Sequence, residues 1–506
     1  MILNRFDGGL STRLAQNLIF PDESVILENV DISSGHLKPT QDISVAKEVT
    51  AHGIYVTIDK KFLGLSKTNT NVFYRERLYV ADGVSAPIKF IDDVQSSLGI
   101  YKSEDAPTLS SISGALPAST YTYLYTYYNN VIGFESVPSP TTVIVLGGSF
   151  AIQLTNITES SDPQVDKIRI YRIGNTISTF SLVATIDNGI TTFDDNITDT
   201  NIPGDTLSSL TNYPPPNKLN NITQAYGTLF GSLEDKLYYS NVGDPEAWNP
   251  LNFIDFEDTI TGLLPTSSGI GIFTRNALYS LIGTTASTFK KILLSREQGT
   301  RSHRSCKTIN GQPIWISNDG ICSLNGGRIV VITKEKLGKQ NFSIINTAVF
   351  DEIYYVLLSD GTVFVADFRY KVRFYTLSFS KPLKDIYNYN DVLWGLVDDS
   401  LVYLFEGAII NSFHYKSGLF ALNNLANHKM YNRFYIKSTG VVEAKIYVDT
   451  GYSVMLATTQ TLEGAKVHDI TVPTEYQRGY TTQIELSGTG SVEEIEFNAI
   501  ARSNGQ

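Results

Sequence analysis

Six basic side chains lie close together between residues 290 and 307 of this chain. They are Lys290, Lys291, Arg296, Arg301, Arg304 and Lys307. Arginine and lysine make charge-assisted hydrogen bonds with phosphate and carboxylate groups, and binding to a nucleic acid backbone needs only such charges. The polar sequence from Ser295 to Lys307 predicts a flexible loop between strands, with Lys290 and Lys291 just before it. Three roles remain open for this basic segment: a solvated loop, a contact with an acidic subunit surface, and a contact with DNA.

A second candidate is the turn sequence Gly243-Asp-Pro-Glu-Ala-Trp248. Asp244 and Pro245 are residue types that favour a tight turn. Trp248 follows with a large ring that can bury on the order of 200 Å² and carries one N–H donor. We therefore expect Asp244, Pro245 and Trp248 to brace a loop between two strand units. A direct binding role for Trp248 is the alternative.

Two Ser/Asp/Gly sequences raise the question of hydrolysis. Ser317–Gly320 and Ser359–Thr362 resemble fragments of the Asp-box turns of sialidase-like propellers, but Asp and Gly are also what a hairpin turn requires. A glycoside hydrolase needs two carboxylates that face one cleft. Asp255, Glu257 and Asp258 are close in sequence, and adjacent residues of a strand point to opposite faces. The sequence nominates no catalytic residue, and we predict a protein that is not an enzyme.

Metal and cofactor motifs are not recognisable in the sequence. The six His are scattered without an H-x-x-x-H spacing, and the Gly-Gly pairs lack the Lys-Ser/Thr that cradles nucleotide phosphates. The two cysteines, Cys306 and Cys322, have no second Cys pair or His pair near them. We expect no cofactor, no zinc site and two free thiols in a reducing cytoplasm.

The elements that must position these residues form a degenerate repeat from about Gln224 to Tyr415. Aromatic-rich strands such as Ile353-Tyr-Tyr-Val-Leu recur between Gly, Asp and Asn turns. The spacing of roughly 35 to 45 residues is that of a β-propeller blade. A single sheet of this kind cannot bury both faces, whereas a closed ring of sheets can. The repeat therefore predicts a β-propeller.

Composition favours an all-β protein. The chain has 29 Tyr and 25 Phe but only 3 Met, and apolar residues at helical spacing are rare, which is typical of strands. The longest helix candidate is the short, polar stretch 422–431. The N-terminus lacks the apolar core of a signal peptide, and no stretch of 18 apolar residues occurs. We expect no membrane span.

Charge is segregated along the chain. Residues 103–213 contain eleven acidic and three basic residues, a net charge of −8, whereas residues 270–340 contain eleven basic and three acidic residues, a net charge of +8. This polarity tends to accompany a polyanionic partner or a neighbour with matching charge.

The alternation of apolar and polar residues changes at the segment borders. Ser119–Tyr128 and Lys167–Arg172 alternate within 103–213, in an order of elements that resembles a fibronectin III-like sandwich. Alternation restarts after about Met430 and predicts a second, C-terminal β-sandwich. The predicted domains are 1–102, an N-terminal strand segment with the first propeller blade or blades; 103–213, the inserted acidic β-sandwich; 214–425, the remaining blades; and 426–506, the C-terminal β-sandwich.

Three segments carry a family resemblance. Phe6-Asp-Gly-Gly-Leu, Leu27-Glu-Asn-Val-Asp and above all Leu237-Tyr-Tyr-Ser-Asn-Val-Gly-Asp-Pro-Glu-Ala-Trp-Asn-Pro, running into Ile254-Asp-Phe, are similar to the tail nozzle proteins of short-tailed bacteriophages. These are also called tail tubular or packaged-DNA stabilisation proteins. The resemblance covers the N-terminus and the propeller, about two thirds of the chain, and Gly-Asp-Pro-x-x-Trp is its most specific part.

The resemblance implies a structural protein of the virion tail, assembled in the host bacterial cytoplasm. Six copies would form a ring that continues the DNA channel below the portal and adaptor, retains packaged DNA and lets it pass on ejection. Its implied partners are further copies of itself, the head-to-tail adaptor ring, a tail fibre, needle or other distal tail protein, and the passing genomic DNA without sequence preference. The alternative function is a host-surface propeller that binds or cleaves carbohydrate.

Overall fold

The computed structural model describes residues 1–48, 55–58, 61–64, 70–91, 94–267, 269–389, 391–398, 400–407, 411–421 and 427–501. The chain divides into two compact units. Unit 1 comprises Met1–Val56, Asn276–Leu278 and Ser295–Gln506, and unit 2 comprises Thr57–Arg275 and Tyr279–Leu294.

The described residues are almost entirely β-structure, which confirms the predicted all-β class. Their helical elements are the short α-helix Lys334–Leu337 and the 3-10 turns Gln16–Leu18, Asp199–Asn201, His303–Ser305 and Thr474–Tyr476. Residues 422–426 of the helix candidate lie outside the described residues, and its last residues belong to a strand. No helix in the described part of the chain is long and apolar enough to cross a membrane.

Unit 2 contains three antiparallel sheets in which strands consecutive in sequence are neighbours. Sheet 1 consists of Thr70–Tyr74, Arg77–Ala81, Ile88–Ile91 and Val94–Ser97; sheet 2 of Asn220–Ala225, Thr228–Leu233, Lys236–Tyr239 and Phe253–Asp255; and sheet 3 of Ile260–Thr266, Gly269–Thr274, Leu278–Ile282 and Lys290–Ser295. Tyr55–Ile58 and Lys61–Gly64 form a separate two-stranded pair. The first strand of sheet 2 contacts the first strands of sheets 1 and 3. The three sheets therefore meet along their first strands.

Two further sheets of unit 2 lie between sheets 1 and 2 in sequence. One consists of Thr108–Leu116, Phe150–Thr155 and Phe193–Asp195; the other of Phe134–Glu135, Ser119–Asn129, Thr142–Leu146, Lys167–Gly174 and Ile177–Asp187. In Ser119–Asn129, the tyrosines at every second position from 121 to 127 are buried and share one core with Ile152 and Leu154 of the other sheet. Period-two alternation thus places the rings on the face that the two sheets share. We call the region from Thr108 to Asp195, which contains these two sheets and the loops between their strands, the insert.

Unit 1 contains three more sheets, of which sheets 4 and 6 have four strands and sheet 5 is longer. Sheet 4 consists of Lys307–Ile309, Gln312–Ser317, Gly320–Asn325 and Arg328–Val331; sheet 5 begins with Ile344–Phe350, Ile353–Leu358, Val363–Asp367 and Arg373–Leu377; and sheet 6 consists of Asp385–Tyr389, Val392–Val397, Ser400–Tyr403 and Ser44–Glu48. The first strand of sheet 5 contacts the first strands of sheets 4 and 6. The sheets of unit 1 therefore repeat the arrangement of those in unit 2.

Strands from the two ends of the chain build the remainder of unit 1. Sheet 5 continues through Glu23–Glu28, Phe413–Ser417, Thr481–Gly488, Val441–Asp449 and Val454–Glu463, and Gly9–Leu10 pairs with Glu23–Glu28. A second sheet consists of Ile2–Leu3, Ser491–Ala501, Lys429–Thr439, Lys466–Thr471 and Arg478–Gly479. Val30–Asp31 pairs with Lys38–Pro39 as a separate two-stranded sheet. One large core joins both sheets, including Ile446 and Phe434.

The structure differs from the predicted segments at the two ends of the chain. Ser44–Glu48 completes sheet 6 by pairing with Ser400–Tyr403, and Ile2–Leu3 pairs with Ser491–Ala501. Phe413–Ser417, which the sequence assigns to the propeller segment, pairs with Thr481–Gly488 instead. Local alternation indicates that a segment is a strand but does not identify its partner. The predicted boundary at residues 425/426 lies outside the described residues.

Candidate functional site

The turn Gly243–Trp248 follows the third strand of sheet 2 and is closed by its own hydrogen bonds. The Asn241 N–H donates to the Ala247 carbonyl over 2.8 Å. The Glu246 N–H donates to Asp244 Oδ1 over 3.1 Å, which is why aspartate is favoured at this position of a turn. Gly243 has a φ of +79°, where a side chain would be strained. The sequence thus fixes the local backbone before any distant contact is made.

Glu246 forms the centre of a buried ion pair. Its Oε2 accepts from Lys89 Nζ over 2.6 Å and from the Gly99 N–H over 2.8 Å. Lys89 is fully buried and the Glu246 side chain is 2% exposed. Arg77 lies 3.4 Å from the other carboxylate oxygen. Burial lowers the pKa of Lys89 and the Glu246 charge opposes that shift, so each charge depends on its partner.

Gln164 connects the same ion pair to the insert. Its Oε1 accepts from Lys89 Nζ over 2.7 Å, and its Nε2 donates to the carbonyls of Ser97 and Gly99 over 3.1 and 2.9 Å. Lys89 belongs to sheet 1, Glu246 to the turn and Gln164 to the insert. Three parts of unit 2 are thereby joined through one buried amine.

Trp248 packs beside this polar group. Its side chain is buried in a core with Tyr79 of sheet 1 and with Ile222 and Leu229 of sheet 2. The indole N–H donates to the Pro245 carbonyl over 2.9 Å, so the ring is held by the turn that precedes it. The arrangement places Trp248 against two neighbouring sheets, where the sequence expects a brace.

Asp244 and Pro245 shape the turn without forming a binding surface of their own. Burial raises the pKa of Asp244, although the hydrogen bond from the Glu246 N–H opposes the shift. Arg75 Nη1 donates to the Gly243 carbonyl over 2.5 Å. Arg75, in the turn between the first two strands of sheet 1, therefore holds this turn at its Gly243 carbonyl.

The basic segment is divided between the two units. Lys290 and Lys291 are exposed residues of the last strand of sheet 3. Lys291 Nζ donates to the Asp255 carbonyl over 2.8 Å and lies 4.8 Å from the centre of the Phe256 ring. The remaining four residues belong to unit 1. The segment Ser295–Lys307, expected to be a loop between strands, runs from the last residue of the strand Lys290–Ser295 to the first residue of the strand Lys307–Ile309 and contains the 3-10 turn His303–Ser305.

The basic residues of unit 1 differ in accessibility. Arg296 and Arg301 are exposed, and Arg301 Nε donates to Asn318 Oδ1 over 3.0 Å. Arg304 is only 11% exposed and lies 3.3 Å from Asp385. Lys307 begins the first strand of sheet 4 and is partly buried, which lowers its pKa. Fewer than the six basic side chains counted in the sequence are therefore accessible to a partner molecule.

The Asp385 carboxylate accepts hydrogen bonds from several donors in addition to its ion pair with Arg304. Its Oδ1 accepts from Asn346 Nδ2 over 2.7 Å and from the Ile386 N–H over 2.9 Å, and the Tyr387 hydroxyl donates to Oδ2. Burial nevertheless raises the pKa of Asp385. The carboxylate is satisfied by a set of donors in which Arg304 is one member.

Two further groups of the basic segment are titratable and enclosed. Burial, together with the charges of Lys307 and Arg304, lowers the pKa of His303 to about 3. Burial raises the pKa of Cys306 to about 12. His303 is therefore neutral and Cys306 is a thiol at neutral pH. The other cysteine, Cys322, is likewise a buried free thiol.

The Ser/Asp/Gly sequences form hairpin turns, as predicted. Ser317–Gly320 joins two strands of sheet 4, and the Asp319 N–H donates to Ser317 Oγ over 3.1 Å. In Ser359–Thr362, Asp360 Oδ1 accepts from the Thr362 N–H over 2.9 Å. Across the described ranges, no group of three or more His, Cys, Asp or Glu side chains could hold a metal ion.

Sequence reasoning missed the partners of the Glu246 and Asp385 carboxylates. Lys89 lies 157 residues from Glu246, and Arg304 lies 81 residues from Asp385. The one available signal was Lys89 itself, a lysine at the second position of the apolar strand Ile88–Ile91. A charged residue inside such a strand requires a buried counter-charge.

Comparisons with known proteins assign no relatives at the sequence level. No family model matches the chain, and no curated protein matches it. Solved structures with some likeness include a computationally designed protein, Ika8 (TM-score 0.31, 12% identity, covering 72% of this chain and 99% of that one). A second is the mitotic checkpoint complex (TM-score 0.33, 8% identity, covering 73% of this chain and 92% of that one). A third is BBS1N in complex with ARL6DN (TM-score 0.23, 11% identity, covering 74% of this chain and 100% of that one). Scores this low support no conclusion about the chain.

Proposed function

We propose that this chain is a structural virion protein that forms a ring-shaped tail nozzle of six copies in a short-tailed bacteriophage. In this proposal the ring continues the DNA channel below the portal and adaptor, retains the packaged DNA and lets it pass on ejection. Its partners are the adaptor ring, a distal tail protein such as a fibre or needle, and the passing genomic DNA. It acts without catalysis.

The proposal includes a propeller built from sheets 1 to 6, with the insert as a fibronectin III-like sandwich and the C-terminal sheets as a second sandwich. Two features support it. In each unit, three sheets meet along their first strands, as blades do around a central axis. The early strand Ser44–Glu48 also completes the last of the six sheets, and pairing of an early strand with a late one closes a ring of sheets.

The observation that carries the function is the role of the Gly243–Trp248 turn. This turn is the most specific part of the resemblance to nozzle proteins, and its side chains are used in packing. Glu246 is paired with Lys89 at 2.6 Å, and Trp248 is buried between sheets 1 and 2. The residues that carry the resemblance are thus scaffold residues, which suits a subunit whose task is to form a durable ring.

The proposal is tested by the mass and symmetry of the purified protein. We would measure light scattering and record negative-stain images of the protein alone and mixed with the adaptor ring of the same tail, with the adaptor alone as the control. The expected result is a sixfold ring with a central hole, formed alone or on the adaptor. A persistent monomer or trimer that ignores the adaptor would reject the nozzle function.

A further inference from the structure

An open cavity of about 420 Å³ lies at one end of sheet 5 in unit 1. Three short turns surround it, and the residues that line it are Ser33, Ser34, Asp351, Glu352, Arg369 and Tyr370. Asp351 and Glu352 have φ values of +49° and +58°. Two successive left-handed residues form a tight hairpin turn between strands, so one wall of the cavity has a defined backbone.

The Asp367 carboxylate holds the guanidinium of Arg369 in place. Its Nε and Nη2 donate to the two oxygens of Asp367 over 3.1 and 2.9 Å. Asp367 is fully buried and also accepts from Arg373 over 2.7 Å. Burial alone would raise the pKa of Asp367, but the hydrogen bonds and charges of the two arginines lower it. Arg369 is therefore fixed before a ligand arrives, which reduces the entropy lost on binding.

Tyr370 provides an aromatic surface beside this fixed guanidinium. Its side chain is 81% exposed, and the Arg373 guanidinium lies 5.7 Å from the ring centre. At the edge of the cavity, this exposed ring presents a large apolar face on which a ligand can pack. An exposed ring beside fixed polar groups is the arrangement found in small-molecule sites.

The cavity is lined by one guanidinium and two carboxylates, a net charge of −1. Arg369 Nη1 lies 3.2 Å from Asp351, and Glu352 adds a second exposed carboxylate. The serine hydroxyls can donate or accept, whereas the carboxylates only accept and the guanidinium only donates. A phosphate or sulfate would meet two carboxylates, and a purely apolar ligand would leave these polar groups unpaired.

We propose that this cavity binds a neutral saccharide. Sugar hydroxyls both donate and accept, so they can satisfy carboxylates, guanidinium and serines together, while the C–H face of the ring packs on Tyr370. The site adds a function to the proposed nozzle: a contact between the tail and a glycan of the host surface. Binding at this site does not require the ring.

The test uses the purified full-length protein and three neutral hexasaccharides, maltohexaose, cellohexaose and mannohexaose, titrated by calorimetry and saturation-transfer NMR. We expect at least one to bind with a Kd below about 1 mM. Tyr370→Ala should weaken that binding about tenfold or more, and Glu352→Gln several-fold. Tyr452→Ala is the matched control, because Tyr452 is fully exposed and lies outside the cavity; its binding should equal that of the wild type.

Three results would overturn the saccharide site: no binding of any of the three sugars at about 10 mM, unchanged binding by Tyr370→Ala, or preferred binding of a sulfated hexasaccharide. Circular dichroism melting curves of all variants establish that each is folded. The same preparations are imaged with the adaptor ring. If the protein binds a sugar but forms no ring, only the nozzle function is rejected. If it forms a ring but binds no sugar, only the saccharide site is rejected.

Discussion

Two of the buried ion pairs, Lys89–Glu246 in unit 2 and Arg304–Asp385 in unit 1, are built differently. Lys89 and Glu246 are 2.6 Å apart with both side chains almost fully buried. Arg304 and Asp385 are 3.3 Å apart, and Asp385 also accepts from Asn346, Tyr387 and a backbone N–H. The Glu246 carboxylate also has several donors, so the difference lies in the cations: Lys89 is fully buried, whereas Arg304 is 11% exposed. A fully buried cation that loses its counter-charge costs more, so the first pair should be the more sensitive to loss of its carboxylate.

Trp248→Ala should have the largest effect, because it removes the apolar support of the first pair. Deleting a buried tryptophan ring typically costs about 3–5 kcal/mol of unfolding free energy. We expect a loss in this range in urea unfolding, together with a lower yield of rings. Tyr452→Ala, at a fully exposed ring, is the control. A ring-competent Trp248→Ala protein of unchanged stability would contradict the bracing role.

Glu246→Gln should come next. It keeps the shape of the side chain but leaves the buried Lys89 without a counter-charge, which costs about 3 kcal/mol or more. Urea unfolding at neutral pH measures this loss. The double variant Lys89→Met with Glu246→Leu removes both charges and should recover most of the stability. If the double variant is as unstable as Glu246→Gln, the loss of stability comes from altered side-chain packing and not from the unpaired charge of Lys89.

Arg304→Met should cost less, about 1–2 kcal/mol, because Asp385 keeps its other donors. The remaining carboxylate can also take up a proton, since burial already raises its pKa. The loss should therefore be smaller at pH 5 than at pH 8, as measured by urea unfolding at both values. A loss equal to that of Glu246→Gln would remove the distinction between the two pairs.

The pH dependence of unit 1 offers a sharper test. The pKa of His303 is lowered to about 3 in the folded protein from an ordinary value near 6.5, so the unfolded chain binds this proton more tightly. Stability should fall as the pH drops from about 6.5 towards 3. His303→Gln should flatten this part of the curve in thermal melts. An identical acid loss in the variant would show that other groups cause it.

Arg301→Glu should have the smallest effect on stability, below about 0.5 kcal/mol, because the side chain is exposed. Its use is to test partner contact by the accessible part of the basic segment. If this part meets an acidic subunit or DNA, the reversal should weaken binding to the adaptor or to DNA, most clearly at low salt. If Arg301→Glu and the wild type bind the adaptor and DNA equally at low salt, a solvated loop is the one role left for this part of the basic segment.

The sequence predicted strands and turns well where the signal is local. The tyrosines of Ser119–Asn129 alternate in sequence and are buried on one face. Ser317–Gly320 carries the Asp and Gly of a hairpin turn and forms one. These features depend on a few neighbouring residues, whose φ and ψ preferences and period-two alternation are readable in a single chain.

What the sequence could not supply was long-range pairing. It counted Arg304 among six available cations, although Asp385 holds it from 81 residues away. It also treated the first 102 residues as a unit, although Ile2–Leu3 pairs near the other terminus. Register between distant strands depends on the packing of the whole core. Of the candidate sites, the Trp248 turn could be located from sequence, whereas its partner Lys89 and the cavity beside Tyr370 could not.

The pairing of Ile2–Leu3 with Ser491–Ala501, and of Ser44–Glu48 with Ser400–Tyr403, has a consequence for biosynthesis. At about 5–20 residues per second, the first strand leaves the ribosome on the order of 25 to 100 s before its partner exists. During that interval unit 1 cannot complete two of its sheets, and their unpaired edges can associate with other chains. Synthesis of residues 491–501 is therefore required before unit 1 can complete its sheets, and a chain that lacks these residues should aggregate.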